Sequence, residues 1–306
     1  MTRARGSLGC GIGARGLLVV SLGAALEAGD KIIEIYNSDF NVQYKGDASP
    51  LTDDDRCSHE IITQRLSETS VRSNDRCPVL SEEGKDILYE ERRKWTRFWL
   101  VDPLDGTKEF VKRNAEFTVN IGLIEGDTPV IGVVFVPVKD ILYFAARELG
   151  SYLLKGCDAK RVLGKESREE ELGDIVNELT SVSWRLPYEN ECAPRPLTIV
   201  GSRSHATREQ EEYVKEMKKK NSDLQVISAG SSLKFCLIAE GSADIYPRFG
   251  PTMEWDTAAG QCIVEASGGE VLSFPDNLPL RYNKRELKNV HFIARRKQTV
   301  RLSHRT

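Results

Sequence analysis

The sequence lacks several features that would point to common functions. Its seven cysteines (Cys10, Cys57, Cys77, Cys157, Cys192, Cys236 and Cys262) include no Cys-x-x-Cys pair, and their number is odd. Reduced thiols in a cytosol are the expected state. The four histidines (His59, His205, His291 and His304) do not cluster with the cysteines, which argues against a zinc site. Charge of one sign is missing too: 43 Lys and Arg stand against 46 Asp and Glu, a net charge of −3. Such a balance gives no reason to expect a nucleic-acid partner or a surface for anionic membranes. A local basic pocket for a small anion stays compatible with it. No apolar run reaches the ~18 residues of a membrane span, and no internal repeat is visible.

What is present suffices for a large core. The chain has 306 residues, 40% of them hydrophobic, enough for one large domain or two moderate ones. Arg3, Arg5 and Arg15 precede Gly16 to Ala25, a run apolar apart from Ser21 that imitates a signal peptide. However, the run passes directly into Leu26 to Tyr36, where Leu26, Ile32, Ile33 and Tyr36 recur at helical spacing. One amphipathic helix near 16–37 explains the stretch better. A second helix is expected near 52–67, with Thr52 as N-cap and Asp53, Asp54 and Asp55 in the first turn.

A β-rich section follows. Phe98 to Val101 is a short apolar strand, stopped by Asp102-Pro103. Phe117 to Ile124 and Val130 to Val138 read as a hairpin through Glu125-Gly126-Asp127, and Ile141 to Ala145 and Ser151 to Leu154 as two more strands turning at Gly150. Residues 157–196 are polar and read as an insertion or mobile connection. After them strands and helices alternate: Leu197–Val200, His205–Lys220, Leu224–Ile227, Ser232–Glu240, Asp244–Tyr246, Thr257–Ala266, Gly269–Leu272 and Val290–Ala294. The pattern predicts a layered α/β fold. The expected division is an α+β domain over 1–195 and an α/β domain over 196–306.

The segment Asp102-Pro103-Leu104-Asp105-Gly106-Thr107 carries the first chemical signal. It ends an apolar strand, where α/β folds place ligands. Pro103 restricts its own backbone and that of Asp102, and Gly106 lets main chain approach a ligand. Two firmly held carboxylates beside free N–H groups suit a hard cation and a phosphate; a solvated strand-to-turn connection is the bland alternative. Glu82-Glu83 follows the short apolar run Pro78 to Ser81 and is either a further ligand source or a solvated loop. In Trp255 to Gly260, Asp256 falls where a helix begins, with small residues behind it; it is either a ligand or an N-cap.

Together these segments carry a resemblance. Val79-Leu80-Ser81-Glu82-Glu83, Asp102 to Phe110 and Trp255 to Gly260 resemble the three motifs of the inositol monophosphatase superfamily. Gly201 to His205, Gly230 to Cys236 and Tyr246 to Pro251 are similar to its bacterial 3′(2′),5′-bisphosphate nucleotidase branch, the CysQ type. The resemblance runs from about residue 24 to about residue 283. Residues 1–20, 157–196 and the basic tail Arg295 to Thr306 depart from the family pattern.

The resemblance implies a layered αβαβα sandwich and a Mg²⁺-dependent phosphatase using two or three ions. The carboxylates of Glu82, Asp102, Asp105 and Asp256 and the carbonyl of Leu104 would hold metal. Thr107 would hydrogen-bond the metal-bound water, with Asp55 orienting Thr107 and helping to take its proton. The N–H groups of Gly106 and Thr107 would hold the phosphate, with Glu82, Leu104, Asp105 and Asp256 also facing the substrate. His205, Ser231, Lys234 and Arg248 would bind the nucleotide end. The implied partner is a small bisphosphorylated nucleotide, adenosine 3′,5′-bisphosphate first, in a cytoplasmic enzyme of sulfate assimilation, with peripheral attachment to the inner face of the cell membrane left open. Monomer and homodimer both stay open. Inhibition by Li⁺, close to Mg²⁺ in size but with half its charge, is implied as well. An inositol or sugar phosphatase is the alternative within the same scaffold. A non-catalytic nucleotide-binding regulator is disfavoured because every implied ligand and the base are present.

Overall fold

The structure is a computed structural model, and it describes residues 13–38, 42–44, 50–72, 77–164, 172–188, 195–203 and 207–297. The N-terminal apolar stretch forms helix α1 (Ala14–Tyr36). Leu18, Leu22, Ala25 and Ile32 make its buried stripe, spaced as one face of a helix requires. Helix α2 (Asp53–Arg72) packs along it. Between them in the chain, β1 (Val42–Tyr44) and β2 (Pro50–Thr52) form a small antiparallel ribbon. The side chain of Thr52, the expected N-cap, lies outside the described residues.

A seven-stranded sheet follows in chain order: β3 (Val79–Ser81), β4 (Arg97–Asp105), β5 (Thr118–Glu125), β6 (Thr128–Val136), β7 (Ile141–Ala146), β8 (Gly150–Lys155) and β9 (Trp184–Leu186). β3 runs parallel to β4, and every other neighbour is antiparallel. Short helices α3 (Tyr89–Arg92) and α4 (Thr107–Val111) flank β4 in the chain. In β5 every residue but Glu125 is buried. A strand covered on both faces loses the apolar–polar alternation, which is why these strands read as continuous apolar runs.

Two expectations change here. β4 does not stop at Asp102-Pro103 but runs on to Asp105, with a register shift against β5 between Asp102 and Asp105. A proline can sit inside a strand where a bulge removes the need for its missing N–H. The stretch 157–196, where it is described, holds α5 (Gly156–Leu163), α6 (Leu172–Ser181) and β9. Ala159, Val162, Ile175, Val176 and Leu179 are buried in the core beneath α1, so their amphipathic spacing, hidden among charges, was the missed signal.

The second sheet has five strands in the order β11-β10-β12-β14-β13: β10 (Thr198–Ser202), β11 (Gln225–Ala229), β12 (Ile245–Arg248), β13 (Gly269–Ser273) and β14 (Phe292–Arg296). Helix α7 (Arg208–Lys220) lies over β10 and β11, and starts with Thr207 Oγ1 accepting from Gln210 N at 3.3 Å. Helices α8 (Leu233–Glu240) and α9 (Glu254–Ala266) fill the space between the sheets. α9 packs on β5 and β6 on one side and on β13 and β14 on the other. The order of layers is therefore α1 and α2, seven strands, α8 and α9, five strands, α7. The contact of α9 with the first sheet is very close. A Cβ on Gly132 would fall 2.4 Å from Ala259 O, and one on Gly122 would fall 2.9 Å from Ala258 Cβ. Among the described residues no helix is long and apolar enough to cross a membrane.

Candidate active site

The bulge in β4 creates the acidic wall of the site. Asp102 pairs with Asn120 and Asp105 with Thr118. Three steps on β4 thus match two on β5, so Asp102 and Asp105 both lie opposite residues of one strand face. Without the bulge, carboxylates three residues apart would point to opposite faces. Asp102 is buried, and its Oδ1 accepts from Leu104 N at 3.1 Å. Asp105 Oδ2 accepts from Ser232 Oγ at 2.9 Å and Asn120 Nδ2 at 3.3 Å. From α2, Ser58 Oγ donates to Pro103 O at 2.8 Å and pins the bulge from the other side.

Two more carboxylates come from other elements. Glu82 follows β3, and its N–H donates to Val101 O at 3.1 Å. Asp256 is not the N-cap: α9 begins at Glu254, and Asp256 Oδ2 reaches back to accept from Met253 N at 2.8 Å. Carboxylate oxygens of Glu82, Asp102 and Asp256 all lie within 4.8 Å of one another. Burial first, then the charges of Glu82, Asp105, Asp256 and Asp55, push the Asp102 carboxyl well above its ordinary range. Burial, then Asp105 and Glu82, push Asp256 the same way, against the pull of the Met253 N–H. Carboxylates that repel each other in a buried, all-oxygen cluster fit a hard divalent cation, which would relieve that repulsion.

Beside this cluster, Thr107 Oγ1 lies 3.4 Å from Asp55 Oδ1 and 3.4 Å from Leu104 O. Asp55 is buried at 2% exposure in the first turn of α2. Gly106 precedes α4 with φ +93°, a conformation that favours glycine. A Cβ there would fall 2.1 Å from Ser231 Oγ, so no side chain is tolerated.

The opposite wall is cationic. A cavity of about 270 Å³ is lined by Glu82, Asp105, Gly106, Thr107 and Asp256 on one side and by Lys234, Tyr246 and Arg248 on the other. Lys234 is buried; its Nζ donates to Ser231 O at 2.5 Å and stands 5.4 Å from the centre of the Tyr246 ring. Burial and then the like charge of Arg248 pull its pKa down to about 8, although Asp105 opposes them. Arg248 Nη2 donates to Pro251 O at 3.0 Å, while its buried Nε has no partner. A buried guanidinium N–H without an acceptor is costly, and an anion reaching it would remove that cost.

The expected residues divide as follows. Glu82, Asp102, Leu104, Asp105, Gly106, Thr107, Asp256 and Asp55 come together on the acidic side, and Lys234 and Arg248 face them. Ser231 also lines the cavity, but its hydroxyl is turned to main chain, donating toward Asp105 O (2.8 Å) and Glu116 O (2.6 Å). His205 lies outside the described residues. Sequence reasoning missed Asn120, Ser232, Glu116 and Arg203. Asn120 had a signal, a buried amide inside an apolar run; Ser232 sat unremarked beside Ser231. Arg203 lies within the Gly201 to His205 segment, but it joins Glu116 only in space, so no local pattern marks their pairing.

The model of the inositol monophosphatase family matches residues 15–304. This chain belongs to that family. Among curated relatives, the 3′(2′),5′-bisphosphate nucleotidase CysQ of Shigella flexneri is 42% identical over 264 residues, covering 86% of this chain and 92% of its own. The CysQ of Salmonella typhimurium is 43% identical over 249 residues, covering 81% and 86%. Among solved structures, CysQ from Bacteroides thetaiotaomicron, described as a bacterial member of the family, is 46% identical. It covers 93% of this chain and 98% of its own, with a TM-score of 0.80. Inositol monophosphatases are metal-dependent in general, and the acidic cluster of this family member is where a metal fits.

Proposed function

We propose that the chain is a Mg²⁺-dependent 3′(2′),5′-bisphosphate nucleotidase that hydrolyses adenosine 3′,5′-bisphosphate to AMP and phosphate, with 3′-phosphorylated adenylyl sulfate as a second substrate. The observation that carries this reading is the opposition, across one cavity, of the Glu82–Asp102–Asp256 cluster with Asp105 and the buried cations Lys234 and Arg248. A substrate with phosphates at both ends matches such a site. The named activity of relatives more than 40% identical over most of the chain supports it.

Glu82, Asp102, Asp105, Asp256 and the Leu104 carbonyl would hold two or three Mg²⁺ ions. Bound there, Mg²⁺ supplies neutralisation of phosphate charge and lowers the pKa of water. Thr107 accepts a hydrogen bond from the attacking water, and Asp55, facing the Thr107 hydroxyl, draws its proton. The N–H groups of Gly106 and Thr107 hold the oxygens of the reacting phosphate. Lys234 and Arg248 take the second phosphate, with Ser231 lining the same cavity; His205 is assigned to the nucleotide end by the resemblance alone. The unpartnered Arg248 Nε gives that contact its donor. The companion proposal divides the chain at 195/196 into a mainly metal-holding and a nucleotide-holding part. One sheet formed wholly before that point and one wholly after it support the division. The enzyme is read as cytoplasmic and linked to sulfate assimilation.

Phosphate release from adenosine 3′,5′-bisphosphate, 3′-phosphorylated adenylyl sulfate, inositol monophosphate and a sugar bisphosphate tests the reading. The nucleotides are expected to lead in kcat/KM, and a preference for inositol monophosphate would overturn it.

A further inference from the structure

We propose that Glu116 is a positioning residue for this reaction: clasped by Arg203, it fixes the Gly230–Ser232 turn that holds Asp105 on one side and Lys234 on the other. The proposal rests on the functional reading above. Glu116 lies two positions before β5 and does not line the cavity. Its Oε2 accepts from Arg203 Nε at 2.7 Å and from Gly230 N at 2.8 Å, and its Oε1 accepts from Arg203 Nη2 at 2.9 Å. Its main-chain oxygen accepts from Ser231 Oγ at 2.6 Å. Gly230 presses directly on it, since a Cβ there would fall 2.7 Å from Glu116 O. Side chain and main chain of one residue thus grip the same turn.

An exposed ion pair contributes little, and Arg203 is 47% exposed. The Glu116 carboxylate differs, being only 15% exposed and holding a backbone N–H as well as the guanidinium. Burial raises its pKa, but the bonds from Arg203 and Gly230 prevail and keep it below the usual carboxylate range. Ser231 sits at φ +48°, a sparsely populated conformation for a residue with a Cβ, and such a turn persists only where its surroundings hold it.

What the turn touches gives the grip its consequence. Ser231 Oγ meets Asp105 O at 2.8 Å, and Ser232 Oγ meets Asp105 Oδ2 at 2.9 Å and Asp256 O at 3.0 Å. Ser231 O accepts from Lys234 Nζ at 2.5 Å. A displaced turn therefore moves metal-side and nucleotide-side groups together, so both metal affinity and KM report on Glu116.

The experiment uses the full chain with Glu116→Gln, Glu116→Ala, Arg203→Gln and the Glu116→Gln/Arg203→Gln double variant. Phosphate release from adenosine 3′,5′-bisphosphate gives kcat and KM, and calorimetric titration with Mn²⁺ reads the metal site without turnover. Glu116→Ala is expected to lower kcat/KM about 100-fold with a raised KM, and to weaken Mn²⁺ binding about tenfold. Glu116→Gln keeps an acceptor for Gly230 N and should lose only about tenfold in kcat/KM. The double variant should lose clearly less than the two single losses combined, because Arg203 acts mainly through Glu116, although its Nη2 also donates to Ser228 O at 3.0 Å. The proposal is overturned by a Glu116→Ala enzyme within about twofold of wild type in KM and Mn²⁺ affinity, or by additive losses in the double variant. A fall in Tm with both readouts unchanged overturns it too. If the wild type releases no phosphate from the nucleotide, the functional reading falls while the Mn²⁺ titration still decides on Glu116.

Discussion

The two walls of the cavity are built by opposite means. The acidic wall draws Glu82, Asp102, Asp105 and Asp256 from three separate elements, and its hydrogen bonds come largely from main-chain N–H groups and the neutral side chains of Asn120 and Ser232. Like charges are concentrated and left for a cation to balance. The cationic wall has two members, Lys234 and Arg248, on a helix and a strand of the second sheet, and their donors go to carbonyls. Here burial is used to weaken one charge and leave a donor of the other unmet. Each wall is unfavourable alone and becomes favourable when its counter-ion arrives, so the site stores its selectivity as unsatisfied charge.

The largest expected effect comes from the acidic wall. Asp105→Asn keeps the shape and one acceptor for Ser232 but removes a metal-binding charge. Turnover should fall to background in a phosphate-release assay, while the metal-free protein melts no lower than wild type, since one repelling charge is gone. Near-normal rates would take Asp105 out of the metal site. A smaller effect comes from the cationic wall. Lys234→Ala or Arg248→Ala should reduce kcat/KM for the bisphosphate nucleotide about 10- to 100-fold, mostly through KM, by loss of a charged hydrogen bond. A monophosphate substrate should change little, and an equal loss on both substrates would erase the distinction between the walls.

The smallest effect is the pH dependence of the cationic wall. With Lys234 held at about 8, its charge and its pull on phosphate fade as pH rises through that value. KM for the nucleotide should climb there in wild type and stay flat in Lys234→Ala. Stability moves the other way. Below about 8 the folded protein carries the full cost of a buried charged lysine. Between 8 and the ordinary 10.5 the unfolded chain holds more protons, so this lysine's contribution to stability rises with pH. A wild-type KM that is level across pH 8 would remove Lys234 from phosphate binding.

Much of this was legible in the sequence, and the reasons differ between elements. Helices α1 and α2 and the β5–β6 hairpin follow from local periodicity and from Gly126-Asp127. The metal-side residues were legible as motifs because each lies within a few positions of a strand or helix end. The bulge was not: Pro103 reads as a stop, and only pairing with Asn120 and Thr118 shows the strand continuing. Ser231 was assigned toward the ligand because a serine in a glycine turn gives no sign of where its hydroxyl points. Glu116 and Arg203 stand 87 positions apart, and such pairs exist only after folding. The charged stretch 157–196 misled because its buried apolar residues, six among those described, are outnumbered by polar neighbours.

The bare glycines at 122 and 132 reach further than their packing. They let α9 rest directly on the backbone of β5 and β6, and Asp256 rides on α9 while Asp102 belongs to the sheet. The opening between those carboxylates is thus set by two side chains that do not exist. Mg²⁺ takes oxygens at about 2.0–2.1 Å and Ca²⁺ at about 2.3–2.6 Å, a difference smaller than the lift a single methyl would impose on the helix. In the proposed metal site the pair of glycines would work as a calliper, the fit of an ion being gauged by the seating of a helix on a sheet as well as by the acidic side chains.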